Sequence, residues 1–300
     1  MADARTIPTI ARPAGARRLL GRGGYWPAVP RILIYAILII WSLTVLFPLL
    51  WLIYTSFKTD QEIFFNPWAL PTRLQVDNFV RAWVKSRVGQ YFFNSLFVVI
   101  PSLFLTLLLS SMAAYVLARF SFPGNRLIFF FFMAGLMFPI ILSLVPLFFV
   151  VQQLQALNTY HGLVLVYVAY SLPFSIFFLT SFFRTLPSEL AEAAIIDGAS
   201  HYQVFFRVML PLAQPGLLSV GIFNFLGQWN QFILPLVLMT DNTKYVLTQG
   251  LAFMLHEQYY RNDWSAMFAA LTIVMVPTLL VYAIFQGHIQ RGLTVGALRG

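Results

Sequence analysis

Three amide side chains supply the polar spacing with the most chemical content in this sequence. Asn224, Gln228 and Gln231 fall at i, i+4 and i+7 within an otherwise apolar stretch. At about 100° per residue they share one face of a helix. Unpaired amides are costly in hydrocarbon, so this face must turn toward protein or toward a water-filled path. It can hydrogen-bond a polar solute, or it can tie neighbouring helices together. Trp229 points elsewhere on such a helix and, with Asn230, shapes packing or a gate. No bond-making constellation accompanies these residues. His161, His201, His256 and His288 are scattered. His256-Glu257 begins an H-E pair, but the second His of a zincin motif does not follow. There is no G-x-x-x-x-G-K-[ST] loop to cradle a nucleotide and no G-x-S-x-G elbow. Cys is absent, which excludes disulfides and thiolate metal sites. The sequence therefore predicts no catalytic residues, no metal site and no nucleotide bound by this chain.

A second informative stretch covers residues 184–216, RTLPSELAEAAIIDGASHYQVFFRVMLPLAQPG. Pro187 suits the first turn of a helix. Glu189 and Glu192 place negative charge in the early turns, where the helix dipole favours it. Leu190, Ala193 and Ala194 recur at i, i+3 and i+4 and predict a small apolar face. Asp197-Gly198 ends this helix, with Gly198 free to take a left-handed cap. Ser200-x-x-Gln203 has capping-box spacing for a second helix. That helix carries Val204, Phe205, Val208 and Met209, and Pro211 and Pro215 are expected to stop it. Two short helices around a glycine turn make either a compact connector or a docking knob for a partner protein.

Composition sets the surroundings in which these groups must work. Of 300 residues, 59% are apolar, 17% aromatic and 10% charged, against about 25% charged in a typical soluble domain. The mean hydropathy is +0.77. A soluble enzyme, a disulfide module and a disordered tail are excluded. Six stretches free of Asp, Glu, Lys and Arg are long enough to cross a bilayer: residues 32–54, 92–118, 127–151, 162–183, 215–240 and 266–288. The first is too long for a cleavable signal peptide and reads as an uncleaved anchor. Charges at membrane depth are the usual mark of ion-coupled carriers, and these spans hold none. The net charge of +9 matters through its placement. With the N-terminus cytoplasmic, 12 of the 19 Lys and Arg fall on the inner side and seven on the outer side, which favours both termini inside. The expected organisation is a basic cytoplasmic tail (1–31), a six-span domain (32–290) containing the 184–216 loop, and a cytoplasmic tail (291–300). Pro67, Trp68 and Pro71 predict folded structure in the long outer loop of residues 55–91.

At this point the residues carry a resemblance. Glu192-Ala193-Ala194, Asp197-Gly198-Ala199, Phe205 and Leu210-Pro211, with Pro215 beyond, resemble the EAA loop of binding-protein-dependent ABC importer permeases. Ala113-Ala114-Tyr115 through Arg119-Phe120 and Phe122-Pro123-Gly124 is similar to the second cytoplasmic segment of that family. Trp229-Asn230 with Pro235-Leu236 is similar to its fifth span. The tail from Gly292 to Gly300 resembles the carbohydrate branch, the maltose-permease G-subunit type, with Leu298-Arg299 where Val-Lys is commoner. The resemblance implies an all-α membrane protein of six transmembrane helices, one permease subunit of an ATP-driven sugar importer in the bacterial inner membrane. Its implied partners are a second permease, two ATPase subunits that bind ATP and Mg, an extracytoplasmic sugar-binding protein and the lipid bilayer, with no nucleic acid. In this reading Glu192 anchors the loop on the ATPase, Gly198 makes the turn, and Ala193, Ala194 and Ala199 allow close approach. Asn224, Gln228 and Gln231 would then offer amide donors and acceptors to sugar hydroxyls. The alternative is a self-contained secondary carrier or channel for a small polar solute.

Overall fold

The computed structural model describes the backbone of residues 28–297 and the side chains of residues 32–257 and 262–287. The basic residues Arg5 to Arg22 and residues 298–300 lie outside it, as do the side chains of Arg291 and His288. The chain divides into two units, residues 1–50 and 51–300. In the first unit helix α1 (Ala28–Thr55) begins. Its charge-free run from Ile32 has a mean hydropathy of 2.5, and Thr44 returns its hydroxyl to Ile40 O at 2.8 Å.

The second unit is built on two long parallel helices, α4 (Val88–Arg119) and α7 (Tyr160–Phe183). Near their starts Tyr160 Oη donates to Asn94 Oδ1 at 2.9 Å. Near their ends the rings of Tyr115 and Phe183 lie 5.7 Å apart. Ser102, Thr106, Ser110 and Ser111 form a fully buried stripe on α4. Residues this small let two backbones approach closely, as membrane helices require when lipid provides no hydrophobic drive for association. α11 (Gln214–Trp229) packs against this pair, and α14 (Trp264–Ala297) packs in turn on α11. Trp229 is 2% exposed, stacked on Phe225 at 5.6 Å and edge-on to Phe92 at 5.5 Å. It sits in the core as the sequence reading placed it.

Among the described residues four helices are long and apolar enough to span a membrane, α1, α4, α7 and α14, and the number rises to six if each of two bent pairs is one span. Residues 127–151, expected as one span, form α5 (Asn125–Met137) and α6 (Ile140–Gln153), bent by 106°. Pro139 causes the break. It has no N–H for the helical ladder, and it forces Phe138 into an extended conformation, φ −83°, ψ 116°. Residues 215–240 differ as well. α11 stops at Trp229, and α12 (Ile233–Leu238) follows as a separate short helix.

Beyond the starts of α4 and α7 the loop of residues 55–91 is folded, as expected. It holds α2 (Asp60–Phe65), α3 (Asp77–Val80) and a widened π turn over Arg81–Lys85. Lys58 is fully buried. Its Nζ donates to Asn66 O at 3.0 Å and Pro67 O at 2.9 Å and lies 5.0 Å from the Tyr54 ring. Asn78 Nδ2 donates to Ser56 O and Lys58 O, both at 2.8 Å. The Arg81 fork donates twice to Asp263 at 3.1 Å. Asp263 Oδ1 and Asp60 Oδ1 in turn accept the N–H groups of Ala266 and Ser265, so two carboxylates meet the positive end of α14.

Two predictions follow from this loop. Lys58→Met takes a charged donor from two carbonyls, at about 1.5–3 kcal/mol each, and leaves them only Trp51 Nε1 and the Ala69 amide. Hydrogen exchange at the Ala69 and Gln75 amides should rise while α4 and α7 stay protected; unchanged exchange would contradict the role given to Lys58. The second concerns Glu62, whose carboxylate accepts from the Thr72 hydroxyl and from the Thr59 and Thr72 amides, which pull its pKa down to about 2 from 4.5. A depressed pKa contributes stability that is full above pH 4.5 and is lost as pH falls toward 2. Protection of the Thr72 amide should decline across that window in wild type and stay flat with pH in Glu62→Gln.

Candidate partner-docking loop and transmembrane cavity

The loop of residues 184–216 forms two helical segments around a glycine turn. α8 (Glu189–Ile196) follows Ser188 and starts two residues after Pro187. Gly198 has φ +87°. Its N–H donates to Ile195 O and that of Ala199 to Ala194 O, both at 2.9 Å. This pair of bonds is a Schellman motif, and it satisfies two carbonyls at the end of α8. The capping box is present: Gln203 N donates to Ser200 Oγ at 3.4 Å and Ser200 N to Gln203 Oε1 at 2.8 Å. α9 (His201–Val204) then runs through a π turn (Phe205–Met209) into α10 (Leu210–Leu212). Pro211 does not stop this segment. The helix widens ahead of it, and the direction changes by 73° only after Leu212, where α11 begins.

The apolar faces differ from those expected. Leu190 is 44% exposed and Ala193 is also on the surface. Ala194 of the expected face does turn inward, together with Ala191 and Ala199, against a core of Ala114, Tyr115, Leu179 and Phe183. The period of 3.6 was right, but with two faces of small residues the sequence could not say which one packed. Phe205 is buried, its ring 5.1 Å from that of Tyr115, so it holds the loop to α4 and faces no partner. Leu210 is half-buried on the same core. Arg119, at the end of α4, donates through Nη2 to Leu186 O and fixes the base of the loop. Glu192, Ala193, Asp197, Gly198 and Pro211 are on the surface. So are Ile196, 85% exposed, and Tyr202, 76% exposed. Sequence reasoning passed over this last pair. An isoleucine outside the inward stripe and next to a turn was their one available signal.

A cavity of about 200 Å³ opens between α7 and the end of α11. Asn224, Gln228 and Gln231 all line it, with Tyr167, Tyr170, Ser171, Phe174 and Phe223 among the other walls. Gln231 reaches it by a route the sequence did not foresee. It lies beyond the end of α11, in a turn, and its Oε1 accepts from the Phe232 and Ile233 amides at 3.1 and 3.2 Å. The single helical face is thus limited to Asn224 and Gln228. Those two also make the interhelical bonds considered above: Asn224 Nδ2 to Ser175 Oγ at 2.8 Å and Gln228 Nε2 to Ser171 Oγ at 3.0 Å. On α7, Tyr167, Tyr170, Ser171 and Phe174 recur at i, i+3, i+4 and i+7, a signal present in the sequence but overlooked.

A bundle of apolar spans with a surface loop of this design and an amide-lined internal cavity defines a multi-pass membrane permease. Residues 106–295 match the family described as binding-protein-dependent transport system inner membrane component, and the chain belongs to that family. It is 51% identical over 265 residues to the diacetylchitobiose uptake system permease protein NgcG of Streptomyces coelicolor, covering 88% of this chain and 88% of that protein. It is 34% identical to the trehalose/maltose transport system permease protein MalG of Thermococcus litoralis, covering 90% and 97%. Among solved structures, a bacterial ABC transporter involved in the import of the acidic polysaccharide alginate shares the fold, with a TM-score of 0.78 at 20% identity over 89% of this chain and 99% of that one. The chain is therefore a transport subunit and not an enzyme, embedded in the membrane through several passes. A permease of this family works with a partner permease, a separate ATPase and a substrate-binding protein. The self-contained carrier or channel is not supported by this membership.

Phe205→Ala tests how the loop is held. Removing this ring from its contact with Tyr115 should cost about 3–5 kcal/mol, read as a lower melting temperature of the purified protein. A wild-type melting temperature would show that the loop does not depend on this contact.

Proposed function

We propose that this chain is one permease half of an ATP-driven sugar importer, and that its cargo is a short oligosaccharide of amino sugars. The observation that carries the reading is the 51% identity to a diacetylchitobiose uptake permease over 88% of the chain. In this reading the subunit pairs with a second permease above two ATPase subunits, and an extracytoplasmic binding protein delivers the sugar. Those ATPases bind ATP and magnesium, and this chain binds neither. Both termini lie in the cytoplasm, and the 184–216 loop is the coupling element. Glu192, Ala193 and Asp197 meet an ATPase cleft beside the exposed Ile196 and Tyr202, while Ala194, Ala199, Phe205 and Leu210 fasten the loop to α4 and α7. Closure of the ATPases around ATP would press on this loop and, through Phe205 and Arg119, rock the bundle. Asn224, Gln228 and Gln231 line the translocation path.

Purification of the tagged chain from its native membrane in mild detergent, with mass spectrometry of the proteins retained, tests the assembly. A second permease and a P-loop ATPase should come with it. Gly198→Asp tests the loop itself. A side chain at φ +87° strains the turn by about 1–2 kcal/mol, and the new carboxylate crowds Asp197. Sugar uptake should fall about tenfold or more while the chain still fractionates with the membrane. Unchanged uptake would remove the docking role.

A further inference from the structure

The cavity beside α7 is unbalanced in hydrogen bonding, and the imbalance has a direction. Gln228 is 6% exposed. Its Nε2 is taken by Ser171, and its Oε1 is buried with no partner. Asn224 is 7% exposed and spends its Nδ2 on Ser175 Oγ and on Val220 O, which leaves its oxygen as an acceptor. An unpaired buried acceptor costs about 1–3 kcal/mol, so the Gln228 oxygen calls for a ligand that brings a donor, and the Asn224 oxygen lines the same cavity. Gln231 has the opposite polarity. Its oxygen is held by two backbone amides, so its Nε2 is the group free to donate. The remaining walls include the rings of Tyr170, Phe174 and Phe223, which suit the C–H face of a sugar ring. Ser171 lies roughly 17 Å from either end of α7 at 1.5 Å per residue, so the cavity sits at mid-membrane depth. At about 200 Å³ it has room for a single pyranose ring.

We infer that this subunit carries its own sugar subsite. It takes one pyranose ring of the cargo, reading hydroxyl or acetamido N–H donors through the Gln228 and Asn224 carbonyls and an acceptor of the sugar through Gln231. The inference rests on the reading of the chain as a sugar importer permease and adds that this half selects the cargo. The runner-up is that the amides only tie α11 to α7.

Two variants separate these roles. Gln228→Met removes the unpaired acceptor. Gly227→Leu fills the cavity and deletes no hydrogen bond; a Cβ at Gly227 meets no atom within 4 Å. The full complex, with its binding protein, is reconstituted in liposomes, and uptake of N,N′-diacetylchitobiose and of cellobiose is measured. Each variant should raise the transport KM about tenfold, with a smaller change in kcat. A shift for diacetylchitobiose alone assigns the acceptor to the acetamido N–H, and an equal shift for both sugars assigns it to a hydroxyl. Wild-type KM in Gly227→Leu overturns the subsite and leaves the interhelical role. If Gln228→Met does not assemble, Gly227→Leu decides alone. Failure of the wild-type complex to move either sugar would instead overturn the underlying reading of the cargo.

Discussion

The close approach of α4 and α7 is the contact on which the rest of the structure depends. Lipid tails are as apolar as leucine, so burial alone does not hold two membrane helices together. Here small hydroxyl residues make the approach possible. Ser102 returns its hydroxyl to Val98 O at 2.7 Å, Ser111 to Leu108 O at 2.9 Å, and Ser175 on α7 to Ser171 O at 2.8 Å. These three hydroxyls are thereby satisfied within their own helices, whereas those of Thr106 and Thr180 are buried without a hydrogen-bond partner. One end of the pair receives the folded loop of residues 55–91 through Trp83, whose ring lies 5.6 Å from that of Phe92, and holds Thr243 O and Tyr245 O through Asn94. The other end receives the 184–216 loop through Tyr115, Phe183 and Arg119. A change in the angle between the two helices is therefore felt at both ends.

Two of the irregular stretches of backbone fall beside a proline, which removes an N–H. Pro139 parts α5 from α6, and the π turn of Phe205–Met209 lies directly ahead of Pro211. A widened turn absorbs a missing donor at less cost than a full break, because the following residues resume the helical ladder. This explains why the second loop helix runs on into the core and does not end at the surface.

The sequence made the composition-driven part of the fold legible. Six apolar runs, the capping box at Ser200 and the glycine turn at Gly198 all depend on local chemistry, which a single sequence displays. What it concealed was tertiary. Ala191 and Ala193 are the same residue type two positions apart, and only packing decides that Ala191 turns inward. Gln231 fits helical spacing from Asn224, yet α11 ends at Trp229, because Gln231 turns its own oxygen back onto the next two amides. Seven basic residues fall on the expected outer side. Three of them are engaged locally: Lys58 by two carbonyls, Arg81 by two aspartates, and Lys244 by Asn158 O at 3.1 Å.

Burial of Lys58 also bears on how this protein would appear to a chemical probe. An amine-reactive reagent reports sidedness only when the amine meets water, and this one is fully enclosed and directed at two carbonyls and a ring. Added on the side of an intact membrane that Lys85 faces, such a reagent would modify the exposed Lys85 and pass over Lys58. Trypsin would be equally blind to the peptide bond beside it. A topology map drawn from labelling would then assign the stretch after α1 to the wrong compartment or to the bilayer, and only the neighbouring lysine would correct it.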